Sequence, residues 1–357
     1  MAEVFVCAGC GAGLTDSLTR VALPARTHQH YGHDLLPALM EQGTYAVDPE
    51  PSGPPRRLWD AIGADEAAAR GVFAPVPSLS FGPAGAILVA PGDTHGTVLI
   101  PERCDGYCLG LDGRAGPNLA CADCGRAVAT RVDDCTLWQV VRLDPTAVHA
   151  IPSGGPDPTA DWAELTRDRR SAPPIEPPGG WSPHWEAAVA VALAHLLAAS
   201  GGNRVGVPAD LLTTTFGRAL DELLPTAPAE KTLALVLAGP GLPTHATAAP
   251  TAPATDIVLV PQHPQTGEAW QPPAGTPEAV PLAADVWTYL AFHDDRRLVP
   301  APGLLPDGIL RDDPLPQHPW RAFRPDRRVL LRTLSRLPAV REPWLRAIHD
   351  RLGGRPC

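Results

Sequence analysis

Over the first 150 residues the apolar positions come in short runs separated by turn residues. Segments 4–6, 86–90, 97–100 and 137–143 read as strands, with Pro91-Gly92-Asp93-Thr94-His95-Gly96 as the turn between the middle two. Segments 35–40 and 66–70 are one- or two-turn helical candidates, and Glu50-Pro51-Ser52-Gly53-Pro54-Pro55 is a break. Beyond residue 183 the pattern changes. Ser182 stands at an N-cap, Pro183 at the first helical position, an apolar run extends to Ala199, and Gly201 lies just past the end. That helix is apolar almost all round and should be buried.

A second helix is expected over 209–224. It is followed by apolar runs at 233–238 and 257–260, short enough for buried strands, with a Thr/Pro/Ala-rich loop over 243–255 between them. Helices near 283–292, 326–337 and 342–352 complete the chain, and Leu330, Leu331, Leu334 and Leu337 fall at helical spacing as core positions. The abrupt Pro/Gly/Asp enrichment of 151–183 reads as an interdomain linker that Trp162 could dock. The expectation is thus an α+β protein: a β-rich half over 1–150, a linker over 151–183, and a small α/β, helix-rich half over 184–357.

Composition refines this picture in three ways. The 44 prolines and 33 glycines among 357 residues require much irregular, proline-stiffened loop. The net charge of −10 disfavours a nonspecific nucleic-acid binder, which needs a basic footprint to displace counterions; only 311–357, with 11 arginines against 5 acidic side chains, is basic. Solvated arginines on helix faces account for that tail more readily than an acidic partner or docking surface does. The N-terminus has no basic n-region or signal-length apolar stretch, and the most apolar window, 187–199, is short and contains His195, so a soluble, cytoplasmic protein without a membrane span is expected. In a reducing compartment, eight cysteines with two Cys-x-x-Cys pairs point to metal ligation more than to disulfides.

Two of those segments coincide at an offset of 114 residues. Phe5-Val6-Cys7-Ala8-Gly9-Cys10-Gly11 matches Leu119-Ala120-Cys121-Ala122-Asp123-Cys124-Gly125 in its apolar lead-in, both cysteines and the following glycine. Two thiolates at this spacing can face one ion while backbone amides turn toward the sulfurs, and the glycine permits the positive φ that closes the turn. Both segments resemble the knuckles of zinc-ribbon domains, a likeness carried by about twenty residues. It implies that Cys7, Cys10, Cys121 and Cys124 jointly hold one structural Zn2+. The 110 residues between Cys10 and Cys121 exceed the usual spacing of about 15–20, a domain-sized insertion that loop-closure entropy tolerates.

A local set competes. Cys104, Cys108, Cys121 and Cys124 also have zinc-like spacing, and choosing them would leave Cys7 and Cys10 to find Cys135 and a histidine. Otherwise Cys104, Cys108 and Cys135 are small buried hydrophobes, or contribute with His33 to a second site. Cys357 reads as a free thiol.

Other constellations are less complete. His28, His30 and His33 are concentrated in one segment, where an extended backbone would put His28 and His30 on one face, but no companion ligand set accompanies them. Asp105, Asp112, Asp133 and Asp134 could form a carboxylate pair or simply be solvated. Gly239-Pro240-Gly241 resembles a phosphate-binding turn without the rest of either nucleotide motif, and no nucleophile elbow or kinase signature appears. Trp181, Trp185, Trp287, Trp320 and Trp344 are expected mainly in cores.

A four-thiolate zinc site is coordinatively closed, which favours a noncatalytic, zinc-stabilised binding or adaptor protein with a protein partner. An enzyme with a pocket between the halves, using His28, His30 or His33, is the second reading. A zinc-ribbon nucleic-acid binder is the third, against the acidic balance. The sequence identifies no small-molecule ligand.

Overall fold

The computed structural model describes residues 2–32, 35–108, 110–154, 159–168, 170–224, 232–243, 256–272, 278–293 and 319–354. The chain forms two compact units. The first comprises Met1–Arg70, Pro75–Thr159 and Pro264–Gly267; the second comprises Gly71–Ala74, Ala160–His263 and Glu268–Cys357. The first is β-rich and the second is a small α/β unit rich in helices, as the apolar patterning requires.

The first unit is built on strands β1 (Glu3–Cys7), β2 (Thr19–Arg20), β3 (Thr44–Asp48), β4 (Arg56–Leu58), β5 (Ser78–Ser80), β6 (Ala86–Val89), β7 (Thr97–Leu99), β8 (Leu119–Cys121), β9 (Ala127–Val132), β10 (Val140–Leu143) and β11 (Val148–Pro152), with one short helix, α1 (Ala64–Ala69). Seven strands make a sheet in the order β2-β3-β6-β10-β9-β8-β7, antiparallel except for β2-β3. β1 pairs antiparallel with β11, and β4 with β5.

Both faces of the large sheet are covered. Along β6, Ile87 and Val89 enter one apolar cluster while Ala86 and Leu88 enter another; Val141 and Val140 on β10 divide in the same way. This alternation is what the two-residue period of a strand demands when neither face is open to water. The first cluster is completed by Phe5, Cys7, Ala147 and Val148 from the β1-β11 pair, the second by Leu36, Leu39, Met40 and Trp138. Segment 35–40 is therefore apolar for a reason other than a helical face. It is irregular, with one parallel bridge from Ala38 to Gln139 and Leu39 N donating to Gln139 O at 2.8 Å, which corrects the helix expected there. The strand expected over 137–143 begins only at Val140.

The second unit holds a four-stranded, wholly parallel sheet in sequential order: β12 (Arg204–Gly206), β13 (Thr232–Leu237), β14 (Ile257–Gln262) and β15 (Glu278–Ala283). β14 is buried from Ile257 to Pro261, the continuous apolar run of a strand covered on both faces. Helices are α2 (Trp162–Asp168), α3 (Pro183–Ser200), α4 (Arg218–Leu223), α5 (Ala284–Phe292), α6 (Arg327–Arg336) and α7 (Pro343–Gly353). The helix expected over 209–224 is continuous from residue 211 but widens into π geometry over Thr213–Gly217 before α4. α3 packs against β15 and α6, and it ends where predicted, with Gly201 at φ 57 as a left-handed cap. Asp326 caps α6 by accepting from Val329 N at 2.8 Å.

The Pro/Gly-rich segment 151–183 begins inside β11, where Ile151 and Pro152 pair with Val4 and Glu3, and it contains α2. Trp162 packs edge-on against His263 with ring centroids 5.1 Å apart. Trp185 Nε1 donates to Ala172 O and Trp181 Nε1 to Arg321 O, at 2.9 and 2.8 Å. Trp181, Trp185 and Trp287 are core residues, whereas Trp320 is 94% exposed. The loop expected over 243–255 lies outside the described residues apart from Pro243. No helix among the described residues is long and apolar enough to cross a membrane.

Glu186, His263 and His349 are ionisable groups set deep in the second unit. Glu186, on the first turn of α3, is buried, and its carboxylate accepts from Arg321 at 2.6 Å. Burial pushes its carboxyl up to about 7, and the Arg321 guanidinium recovers only part of that cost. A folded-state value above the unfolded one means that the native protein binds the extra proton, so this group makes stability fall as pH rises from about 4.5 to 7. Glu186→Gln is expected to remove that slope, on the order of 1–3 kcal/mol, in thermal melts compared at pH 5 and pH 8. An unchanged slope in the variant would place the titration elsewhere.

Candidate metal centre

β1 ends at Cys7 and β8 ends at Cys121, so the two strands deliver the two knuckles. The sequence repeat is a repeat of backbone hydrogen bonds as well. Cys7 N donates to Ala12 O and Gly11 N to Cys7 O, both at 2.8 Å; Cys121 N donates to Arg126 O at 2.8 Å and Gly125 N to Cys121 O at 2.9 Å. Gly11 and Gly125 have φ of 78° and 73°, the left-handed turn that the glycine after the second cysteine was expected to supply. Gly9 lies beside the sulfurs: a Cβ there would be in ordinary contact with Cys124 Sγ at 3.5 Å and Cys7 Sγ at 3.7 Å.

The four sulfurs converge. Cys7 Sγ is 3.6 Å from Cys124 Sγ, Cys10 Sγ is 3.6 Å from Cys121 Sγ, and all four lie within 4.8 Å of one another. A disulfide would need about 2.05 Å, whereas four thiolates bound at about 2.3 Å to one central ion have tetrahedral edges of roughly 3.8 Å. The spacing therefore matches a shared ion and excludes bonded sulfur pairs. Cys7 and Cys121 belong to the apolar cluster on the first sheet face, while Cys10 and Cys124 are exposed.

Ionisation of such a cluster is uneven. At Cys7 burial opposes the thiolate, but the amides of Gly9 and Cys10 and the Cys124 thiol outweigh it and lower its value to about 7. At Cys10 the Ala12 amide favours the thiolate, yet the neighbouring Cys124, Cys121 and Cys7 push it up to about 12. One thiolate forms readily and the next is resisted by the first, a conflict that a cation at the centre would reverse. The donor set fits a closed, four-sulfur metal site.

The competing local set is not assembled. Cys121 and Cys124 face Cys7 and Cys10, while Cys108 lies instead with Asp134 and Cys135, whose thiol is pushed up to about 11 mainly by Cys108. Cys104 Sγ donates to Ile100 O at 3.2 Å. Cys357 and His33 lie outside the described residues.

Of the three clustered histidines, His28 and His30 are described. His28 Nε2 sits 3.3 Å from Asp48 Oδ2, and His30 is exposed. Asp48 is fully buried and also takes Arg142 at 3.5 Å and the Glu50 amide at 3.0 Å. Burial would raise the Asp48 carboxyl, but His28, Glu50 and Arg142 together hold it below the ordinary carboxylate range. Nothing in the sequence near residue 28 signalled this partnership with β3 and β10. The acidic residues around the second knuckle likewise go separate ways, Asp112 to the amides of Tyr107 and Arg114 and Asp133 to Arg131. At Gly239 a Cβ would stand 2.3 Å from the Trp287 ring, so packing against that indole accounts for the glycine.

Comparison of the chain with protein-family models, with curated proteins and with solved structures gives no match.

Two outcomes are expected. Cys7→Ser and Cys121→Ser each abolish metal at the knuckle site and lower the melting temperature of the first unit, whereas Cys104→Ser keeps both; full knuckle-site metal in Cys7→Ser, read by elemental analysis, refutes the pairing. Asp48→Asn, which strands Arg142 and His28 beside an uncharged amide, destabilises the first unit by about 3 kcal/mol in denaturant titration, and a loss below about 0.5 kcal/mol shows that the pair is not structural.

Proposed function

We propose that this chain is a noncatalytic, zinc-stabilised binding or adaptor protein of the cytoplasm, with Cys7, Cys10, Cys121 and Cys124 holding one structural Zn2+. The observation that carries this reading is the sulfur geometry: four cysteines at tetrahedral-edge distances, two of them set in the core, complete the coordination shell and leave no position for substrate or an activated water. All-thiolate donors at this spacing favour zinc over harder cations. The pairing of His28 with a buried structural carboxylate supports the same reading, because it assigns to packing a residue that the enzymatic alternative would use.

A protein partner is favoured over nucleic acid by the charge of −10. β7, at the edge of the seven-stranded sheet and paired to the second knuckle through Thr97 and Cys121, presents Val98 and Leu99 at 52% and 49% exposure. Apolar side chains on an edge strand suit recognition by strand addition.

The purified chain is expected to be colourless, with zinc at the four-cysteine site. Affinity capture followed by reconstitution from purified components should yield a protein complex that Val98→Lys/Leu99→Lys abolishes while zinc is retained. A red, iron-loaded protein overturns the metal assignment. Recovery of nucleic acid in place of protein, or a complex indifferent to the β7 substitutions, overturns the binding reading.

A further inference from the structure

A second group of metal-ligating side chains lies at the opposite end of β9 from the knuckle. Cys108 Sγ, a carboxylate oxygen of Asp134 and Cys135 Sγ all fall within 4.8 Å of one another. Backbone pairing brings them together. Asp133 N donates to Leu111 O at 2.8 Å in an isolated antiparallel bridge, so the turn preceding Leu111 runs back alongside 134–135. That turn is tightly wound, with Gly106 N donating to Gly110 O at 3.1 Å and a Cβ at Gly110 excluded by Cys104 O at 2.8 Å.

Two features of the cluster are unexplained by packing. Cys108 has φ 52°, the only positive value of a non-glycine residue among the described residues. Left-handed backbone is disfavoured for such a side chain, and Cys108 gains no burial from it, since it is exposed. Asp134 is only 6% exposed. Its Oδ1 accepts from Thr136 N at 3.4 Å, while its Oδ2 is buried with no hydrogen-bond partner among the described residues. A buried carboxylate oxygen without a donor is costly, and none of the described residues donates to this one.

We infer that Cys108, Asp134 and Cys135 form a second metal site, a two-sulfur, one-carboxylate set for a zinc-class dication whose fourth coordination position faces solvent. Bond lengths of about 2.3 Å to sulfur and 2.0–2.2 Å to oxygen put donors roughly 3.5–3.8 Å apart, a separation reached by small rotations of the exposed Cys108. The cation would neutralise the buried Asp134 carboxylate and give the left-handed Cys108 a function. The site is chemically unlike the knuckles: one donor is hard, one position is open, and the ion should exchange more readily. The six residues of β9 separate the two sites by roughly 20 Å, so each can be removed without the other.

The test is metal titration of the full-length chain, prepared under reductant, stripped with chelator and refilled with Zn2+ or Co2+. Wild type should bind two equivalents. Cys108→Ser/Cys135→Ser, which changes no knuckle or core residue, should bind one, and Asp134→Asn should weaken the second equivalent at least tenfold while leaving the first unchanged. With Co2+ the second equivalent should add about half the thiolate charge-transfer intensity of the first, as two sulfurs against four require. A single equivalent in wild type, unchanged in the double variant, overturns the site; so does a Cys108–Cys135 disulfide, seen as a 2 Da mass loss, that forms without reductant in the presence of excess zinc. Loss of the first equivalent alone would count against the knuckle site and leave this one standing.

Discussion

The first unit depends on the closure of one cysteine knuckle upon another across 110 residues of intervening chain. Compared with an ordinary ribbon spacing, that separation adds only about 1.6 kcal/mol of loop-closure entropy. A structural zinc ion contributes on the order of 10 kcal/mol, so a shared ion would outweigh the closure severalfold. Closure also brings much else into place. The strand that ends at Cys7 is paired to β11, the strand that ends at Cys121 sits between β7 and β9, and both inner sulfurs are part of the apolar cluster on one face of the large sheet. The cysteines are therefore simultaneously donors and core residues. This is why the insertion between them can be a domain's worth of chain: β3 and β6, which lie within it, give Tyr45, Ile87 and Val89 to the core that the knuckles close.

What could be read from the chain follows the reach of the forces involved. The knuckle repeat, with glycine at φ 78° and 73°, and α3, with proline at its start and Gly201 at its end, are local devices, and each was visible within about twenty residues. The pairing of Asp48 with His28 and Arg142 was not, because the carboxylate lies 20 positions from the one and 94 from the other and meets Arg142 through the strand order β3-β6-β10. Segment 35–40 was misread as helical because a short apolar run carries no reliable period, and only the sheet face it covers explains its composition. The local cysteine set failed for a similar reason. Spacing allowed Cys104 and Cys108 to join Cys121 and Cys124, but β9 carries the chain away from the second knuckle before it returns to Cys108.

The second unit rests on different physics. Its parallel strands have no hairpin partners, and each recruits its neighbour only after a long connection, so the sheet is held by burial on both faces. β14 and α3 supply that burial with nearly unbroken apolar sequence. The trade is that polar groups within it must be satisfied individually, as Trp287 Nε1 is by Leu259 O and Trp185 Nε1 by Ala172 O. Glu186 is one group for which the compensation is incomplete, and His195, lowered by burial, is another.

The order in which the first unit's pieces leave the ribosome has a consequence for the cell. Cys7 and Cys10 emerge roughly 5–20 s ahead of Cys121 at ordinary rates of synthesis, and β1 must wait longer still, since its register partners run from Val148 to Pro152. For that interval the nascent chain carries two thiols and an apolar strand with nothing to close upon. Assembly of this unit is thus gated by translation itself, and its most vulnerable moment to oxidants and aggregation precedes the existence of the fold.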